Sequence, residues 1–391
     1  MNVLNVDEII PNKECVIITG VTGQDGSFMA DYLLKNTDYD IYGGARRLSV
    51  SNHDNIKHLE NNPRFKLINF DLTDSHSIAN TIEKLFPRYF INFAAQSFVK
   101  SSWDFPAQTW DCNTKSIIHI LEAIRTYCPG CRFYNAGSSE EFGDVVYEPQ
   151  DEKHPLRPRS PYGASKAAVR QLVKVYRESY NLYALQGWLF NHEGTRRGEE
   201  FVTRKISKGV SRIKNEIDWR ANSGLCGFDT IKPIELGNIN VYRDWSDAED
   251  MVDAIWRMLN QEIYRKDLQP ELYREPTYAK DCIRHLKEYV VSSDKKHTVR
   301  EFVEESFKAL NIKATWYITD DDPLSERYVL NDFKYGMVTL VKINPVYYRP
   351  AEVSSLYGDS SQIRNDLGWK PNISFSELVN KMVKNDFRKL I

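Results

Sequence analysis

Tyr162 and Lys166 stand four residues apart in the run Tyr162-Gly163-Ala164-Ser165-Lys166, downstream of Ser138-Ser139-Glu140. On a helix that spacing puts a phenol and an ammonium on one face, one turn apart. A neighbouring cation lowers a phenol's pKa from its ordinary value of about 10, which would let Tyr162 act as a base near neutrality. Glu140, two residues beyond the Ser138 hydroxyl, would add a second proton-transfer group. Such a set needs a cofactor and a substrate brought to it, and the rest of the chain must supply the elements that do so.

The apolar, β-branched run Cys15-Val16-Ile17-Ile18-Thr19 suits a strand buried on both faces. It runs into Gly20-Val21-Thr22-Gly23-Gln24-Asp25-Gly26, and helical periodicity follows through Met29, Leu33 and Leu34. Strand, glycine turn and helix start together make a phosphate cradle, although the spacing is G-x-x-G-x-x-G and a glycine turn without a ligand is the plain alternative. A second strand, Tyr39 to Gly44, ends before Ala45-Arg46-Arg47. Arginines there suit the 2'-phosphate of NADP, where an acidic residue would suit NAD; two solvated surface arginines are the other possibility.

A third strand, Phe65 to Phe70, leads to Asp71-Leu72, and a fourth, Tyr89 to Phe93, to Ala94-Ala95-Gln96-Ser97. Small residues at the carboxyl end of a strand let a flat ring lie against the backbone. Helical stretches through Ile78, Ile82 and Leu85 and from Thr109 to Tyr127 separate these strands from the run before Ser138. Strand and helix alternate five times, the pattern of a doubly wound α/β sheet. One more strand, Tyr183 to Phe190, runs into Asn191-His192-Glu193, and Lys287 to Val291 reads as a strand returning to the sheet. The basic run from Gly194 to Lys205 leads a helix and could face a polyanion or simply water. No second ligand sits at metal spacing from His192, so a hydrogen-bonded histidine is expected and no metal site.

Composition bounds the rest. At 391 residues the chain exceeds one ordinary core, and its formal charge of -2 disfavours a nucleic-acid partner. No apolar run reaches the roughly 20 residues of a membrane helix, and the acidic start has no secretory n-region, so a cytoplasmic address is expected. Six cysteines make no disulfide framework, and Cys128-Pro129-Gly130-Cys131 reads as a turn between helix and strand.

Taken together these runs resemble the extended short-chain dehydrogenase/reductase family, most closely its GDP-mannose 4,6-dehydratase branch. The more specific runs are Arg196-Arg197-Gly198-Glu199, Phe201-Val202-Thr203-Arg204-Lys205 and Arg349-Pro350-Ala351-Glu352-Val353, and Arg243-Asp244-Trp245 also carries the resemblance. The resemblance implies a Rossmann-type doubly wound parallel sheet with a smaller C-terminal α/β substrate-binding domain. The NADP-binding part would span 12–190 with returning segments about 238–261 and 286–293, and the nucleotide-sugar part 191–237 and 294–391. It implies cofactor contacts from Gly20, Gly23, Gln24, Asp25, Gly26, Arg46, Arg47, Asp71, Leu72, Ala94, Gln96, Ser97, Asn191, His192 and Arg197. Substrate contacts would come from Ser97, Ser139, Asn191, Val202, Lys205, Arg243, Arg349 and Glu352. Ser138, in place of the usual threonine, would hold the sugar 4-hydroxyl, Tyr162 would be its base tuned by Lys166, and Glu140 would act at C5 and C6. A reductase or 4-epimerase of the same fold has no use for that acid. A homotetramer or homodimer is expected, with Arg47 and the Ser49 to Asn52 loop reaching a neighbour's cofactor. Residues about 215–230, with Trp219, Gly224, Cys226 and Gly227, and about 262–285 look like insertions, which leaves a related GDP-hexose or heptose open.

Overall fold

The computed structural model describes residues 3–11, 13–46, 52–223, 231–267, 283–318, 322–332, 336–348, 353 and 355–391. Arg47, Arg349, Glu352, Gly224, Cys226, Gly227 and most of the second apparent insertion lie outside them.

The main sheet is built from β1 (Val3–Leu4), β2 (Cys15–Thr19), β3 (Asp40–Ala45), β4 (Phe65–Asn69), β5 (Tyr89–Asn92), β6 (Arg132–Ala136), β7 (Ala184–Leu189) and β11 (Val290–Val291). They pair in the order β1-β4-β3-β2-β5-β6-β7-β11, every pair parallel. The six central strands have the doubly wound order, so chain direction across the sheet reverses between β2 and β5 and opens a crevice at their carboxyl ends. The strands expected at 15–19, 39–44, 65–70, 89–93 and 183–190 are all present within a residue at each end. β1 was not expected: two apolar residues are too few to carry a periodic signal, and they form a strand by pairing with β4.

Alternation along β2 builds both cores. Val16 and Ile18 pack with Met29, Leu33 and the Ala248–Leu259 helix, while Cys15 and Ile17 pack with Ile120, Ile124, Val169 and Val173 on the opposite face. Ile363, Leu367 and Trp369 from late in the chain join the first of these cores.

Beyond β7 the alternation fails, as expected. β8 (Asn191–Glu193), β10 (Tyr242–Asp247), β12 (Lys296–Thr298) and β16 (Ser355–Leu356) form one small sheet centred on β10. A second sheet, in the order β13 (Thr315–Tyr317), β14 (Arg327–Asp332), β15 (Gly336–Ile343) and β9 (Ile234–Leu236), covers a separate core with the Val202–Ser223, Val299–Ala309 and Phe375–Arg388 helices. Among the described residues no helix is long and apolar enough to cross a membrane, and no group of His, Cys, Asp and Glu could hold a metal ion.

Candidate active site

The glycine turn closes the crevice at its base. Gly20 has φ +67°, and a Cβ there would lie 2.7 Å from the Ala94 amide nitrogen at the end of β5. A Cβ on Gly26 would meet the Gly20 carbonyl and come within 2.7 Å of Val21 Cα. Both positions need glycine for the helix to start this close to the strand. Gly23 is the N-cap of the Gln24–Asn36 helix and offers no side-chain cap. The amides of the first turn therefore face the crevice as an anion site.

The expected acid and histidine of the loop bind each other. His192 Nε2 is 2.9 Å from Asp25 Oδ2, and its Nδ1 is 2.7 Å from the Phe190 carbonyl. Burial works to raise Asp25, but the charge and hydrogen bond of His192, with Arg197 and Gln24, hold its carboxyl below the usual range. Partial burial of His192 opposes its charge, yet Asp25 holds its pKa above the ordinary value. Gln24 donates to Asp25 Oδ1 at 3.1 Å and to the His192 carbonyl at 3.2 Å, so three residues lock the loop to β8.

At the carboxyl end of β6, Ser138 caps a short 3-10 turn, Ser139–Glu141, and its hydroxyl accepts from the Glu140 amide at 3.2 Å. The Glu141 carboxylate returns to accept from the Ser138 amide at 2.9 Å, completing a capping box. Opposite lies the Pro161–Tyr180 helix, capped by Ser160 with proline in its first turn. A Cβ on Gly163 would sit 2.5 Å from the Glu140 carbonyl oxygen, so this glycine lets the helix touch the turn. Tyr162 and Lys166 are 8% and 4% exposed, and the Ser138 hydroxyl is near enough to the phenol to influence its titration.

One expectation is reversed. Burial pushes the Tyr162 phenol well above its ordinary value, and the charges of Glu140 and Glu141 add to this; Ser138 and Arg197 pull the other way without prevailing. The Lys166 ammonium does not overcome this. Burial brings Lys166 itself down to about 8, Nζ donates to the Ala136 carbonyl at 2.7 Å, and it stands 5.9 Å from the Tyr162 ring centre. Helical spacing set the two groups on one face, as read, but desolvation outweighs their attraction.

The other expected residues are distributed around this centre. Ala94 and Gln96 are half-buried at the end of β5, Ser97 is exposed and Leu72 is buried. Asp71 accepts from the Thr73 amide and hydroxyl at 2.9 and 2.8 Å, and Arg46 is exposed. Ser139 is buried, and the buried amide oxygen of Asn191 has no partner among the described residues. Arg197 lies 3.0 Å from Glu193 and stacks 3.5 Å from the Phe201 ring centre. Val202 opens the Val202–Ser223 helix, and Lys205 Nζ sits 3.6 Å over the Tyr347 ring. Arg243 is 6% exposed and donates to the Tyr242 and Val353 carbonyls at 2.8 and 2.9 Å. A cavity of about 970 Å³ joins Gly20, Gly23, Asp25, Ser97, Arg197 and Phe201, and reaches Arg204 and Lys208, but its lining includes neither Tyr162 nor Glu140.

Asn113 was not anticipated. It lies in a π-helical turn, Asp111–Lys115, inside the segment expected as one helix. Its amide accepts from Gln96 N at 2.8 Å and donates to Gln96 O and Ser165 Oγ at 3.0 and 3.2 Å, tying the end of β5 to the Tyr162 helix. The π-turn is the available signal, and it is visible only in the fold.

The family model described as GDP-mannose 4,6 dehydratase matches residues 17–268 and 274–382. A curated relative of that name from Drosophila melanogaster is 40% identical over 379 residues, 95% of this chain and 85% of its own. One from Vibrio cholerae is 35% identical over 390 residues, covering 97% and 95%. Among solved structures, the dTDP-glucose 4,6-dehydratase of Bacillus anthracis in complex with NAD superposes with a TM-score of 0.68 at 18% identity, covering 96% of this chain and 97% of that one. The UDP-glucose 4-epimerase of Thermus thermophilus gives 0.70 at 20% identity, covering 96% and 99%.

Proposed function

Because the chain belongs to the GDP-mannose 4,6-dehydratase family, we propose that it is a hydro-lyase that uses NADP to convert GDP-mannose into GDP-4-keto-6-deoxymannose. The observation that carries this is the packing of two elements: the Glu140 carbonyl lies against Gly163, one residue from Tyr162, so the turn that carries the acid and the helix that carries the phenol meet. Bound NADP+ would supply the hydride acceptor for C4 and return the hydride to C6. The chain's fit to such a cofactor rests on the glycine cradle, which a Cβ at Gly20 or Gly26 would fill, and on the uncapped helix start at Gly23.

The protein groups have separable tasks. Tyr162, beside Ser138, takes the proton of the sugar 4-hydroxyl as C4 is oxidised; burial raises the phenol's pKa in the free chain, so the Lys166 cation and a bound nicotinamide cation would have to favour its phenolate form. A ketone at C4 acidifies C5, whose proton Glu140 removes; the same carboxyl then protonates the C6 hydroxyl as it leaves as water and, re-protonated from solvent, returns a proton to C5 as C6 is reduced. Lys166 fixes the Tyr162 helix to β6 through the Ala136 carbonyl and keeps a cation near the phenol. Arg46 and Arg47 would hold the 2'-phosphate, and Lys205, Arg243, Arg349 and Glu352 the GDP moiety. We further assign the nicotinamide cofactor to the large sheet, the nucleotide sugar to the smaller C-terminal part, and a homotetramer or homodimer as the assembly.

The test is to incubate the protein with GDP-mannose and substoichiometric NADP+. A 4-keto-6-deoxy product should accumulate beyond the amount of cofactor, without added reductant. Turnover that stops unless stoichiometric NADPH is supplied would refute the dehydratase.

A further inference from the structure

Behind the site lies a buried, charge-balanced cluster that the reaction as written does not use. Glu141 is fully buried and Arg170 is 3% exposed. Arg170 Nε donates to Glu141 Oε2 at 2.6 Å, and Nη2 reaches Oε1 at 3.3 Å. Its remaining hydrogen bonds go to the Gln186 and Gly187 carbonyls and to Glu288, which also pairs with Arg177 at 2.9 Å. The guanidinium lies over Trp188, 3.4 Å from its ring centre. Glu141 Oε1 meanwhile accepts from the Ser138 amide at 2.9 Å and from Gln186 Nε2 at 3.1 Å.

Arg170 is one turn beyond Lys166 and two beyond Tyr162 on the same helix face. The helix that carries the phenol thus also grips, through Glu141, the turn that carries Ser138 and Glu140. Gln186 closes the loop by donating to the Lys166 carbonyl at 2.9 Å. It also ends a row of cross-strand side chains, Thr19 to Asn92 to Asn135 to Gln186, that runs from the glycine strand to this cluster.

We propose that the Glu141–Arg170 pair is a positioning device that fixes the separation of the Glu140 turn from Tyr162. A pair inside the fold gains little net stability over an apolar substitute of the same shape. A bidentate guanidinium to carboxylate bond does, however, set both distance and orientation. Both residues stand behind the catalytic groups and act only through them. The inference rests on the dehydratase assignment for its kinetic readout and on geometry alone for its structural one.

The experiment compares Glu141→Ala, Arg170→Gln and the double variant Glu141→Gln with Arg170→Gln, in which an amide pair replaces the ion pair and the Ser138 amide keeps its acceptor. Each single variant should lose about 100-fold in kcat, with KM and NADPH affinity within about three-fold of the original. Hydrogen exchange of the 137–143 peptide should accelerate in both, and the double variant should recover about ten-fold of the lost kcat. Unchanged kcat in the single variants, or a loss that falls equally on cofactor affinity, overturns the proposal. So does a folded double variant no better than the singles. If neither singles nor double fold, the pair is a folding element and the proposal fails. If the original chain does not turn over GDP-mannose, the dehydratase assignment fails instead, and exchange of the 137–143 peptide alone decides the positioning claim.

Discussion

Gly26→Ala separates two physical effects of opposite sign. Gly26 is the third residue of the Gln24–Asn36 helix, where helix propensity alone predicts that alanine gains about 1 kcal/mol. The packing says otherwise. The new Cβ would lie 2.7 Å from Val21 Cα and 2.8 Å from the Gly20 carbonyl carbon, both backbone atoms that cannot rotate away. Restoring an ordinary carbon to carbon distance of about 3.5 Å would part the helix start from the loop by about 0.8 Å. Overpacking of that kind costs about 1–3 kcal/mol, which meets or exceeds the propensity gain. The larger effect falls on the ligand, because the displaced amides are those aimed at the phosphate. NADPH affinity should weaken about 10- to 100-fold, or about 1.4–2.8 kcal/mol. Fluorescence titration with NADPH, read beside a thermal melt, measures both. A raised Tm with cofactor affinity unchanged would refute the claim that the loop needs glycine there.

Glu140→Gln keeps the shape of the side chain and loses its proton transfer, so it should bind NADPH and GDP-mannose normally while turnover falls about 10²- to 10⁴-fold; near-normal activity would remove Glu140 from its role. Replacing Arg46 and Arg47 together by alanine should raise the KM for NADP+ far more than that for the sugar nucleotide, and equal effects on both would sink the 2'-phosphate assignment. Asp244 is fully buried, and burial with nearby Asp294 pushes its pKa up from 3.8 to about 7 against hydrogen bonds from Ser293 and the Gly358 backbone. Between those values the folded chain holds a proton that the unfolded chain has released, so stability should fall as pH rises from about 4 to 7, by order 1 kcal/mol per unit, and level off above. Asp244→Asn should flatten that slope in melts across the range, and an unchanged slope would contradict the assignment.

Much of this was legible because it is local. The Cys15–Thr19 strand, the glycines after it and the Tyr162 to Lys166 spacing each declare themselves within ten residues, through period, turn chemistry and helix geometry. The Asp25–His192 pair, the Arg170–Glu141 pair and the Asn113 link to Gln96 join residues 167, 29 and 17 positions apart. No periodicity encodes them, and they exist only once the parallel strands are in register. The sign of the Tyr162 shift was missed for a related reason. Spacing reveals which charges are near, whereas burial, which dominates here, is a property of the packed site.

The central claim is that the site borrows a hydride from C4 and returns it to C6. GDP-mannose deuterated at C4 tests it directly when turned over with catalytic NADP+ and the product examined by NMR and mass spectrometry. The account predicts deuterium at C6 of the 4-keto-6-deoxy sugar, with a solvent proton at C5. Deuterium retained at C4, or released on reduced cofactor in proportion to turnover, would contradict it.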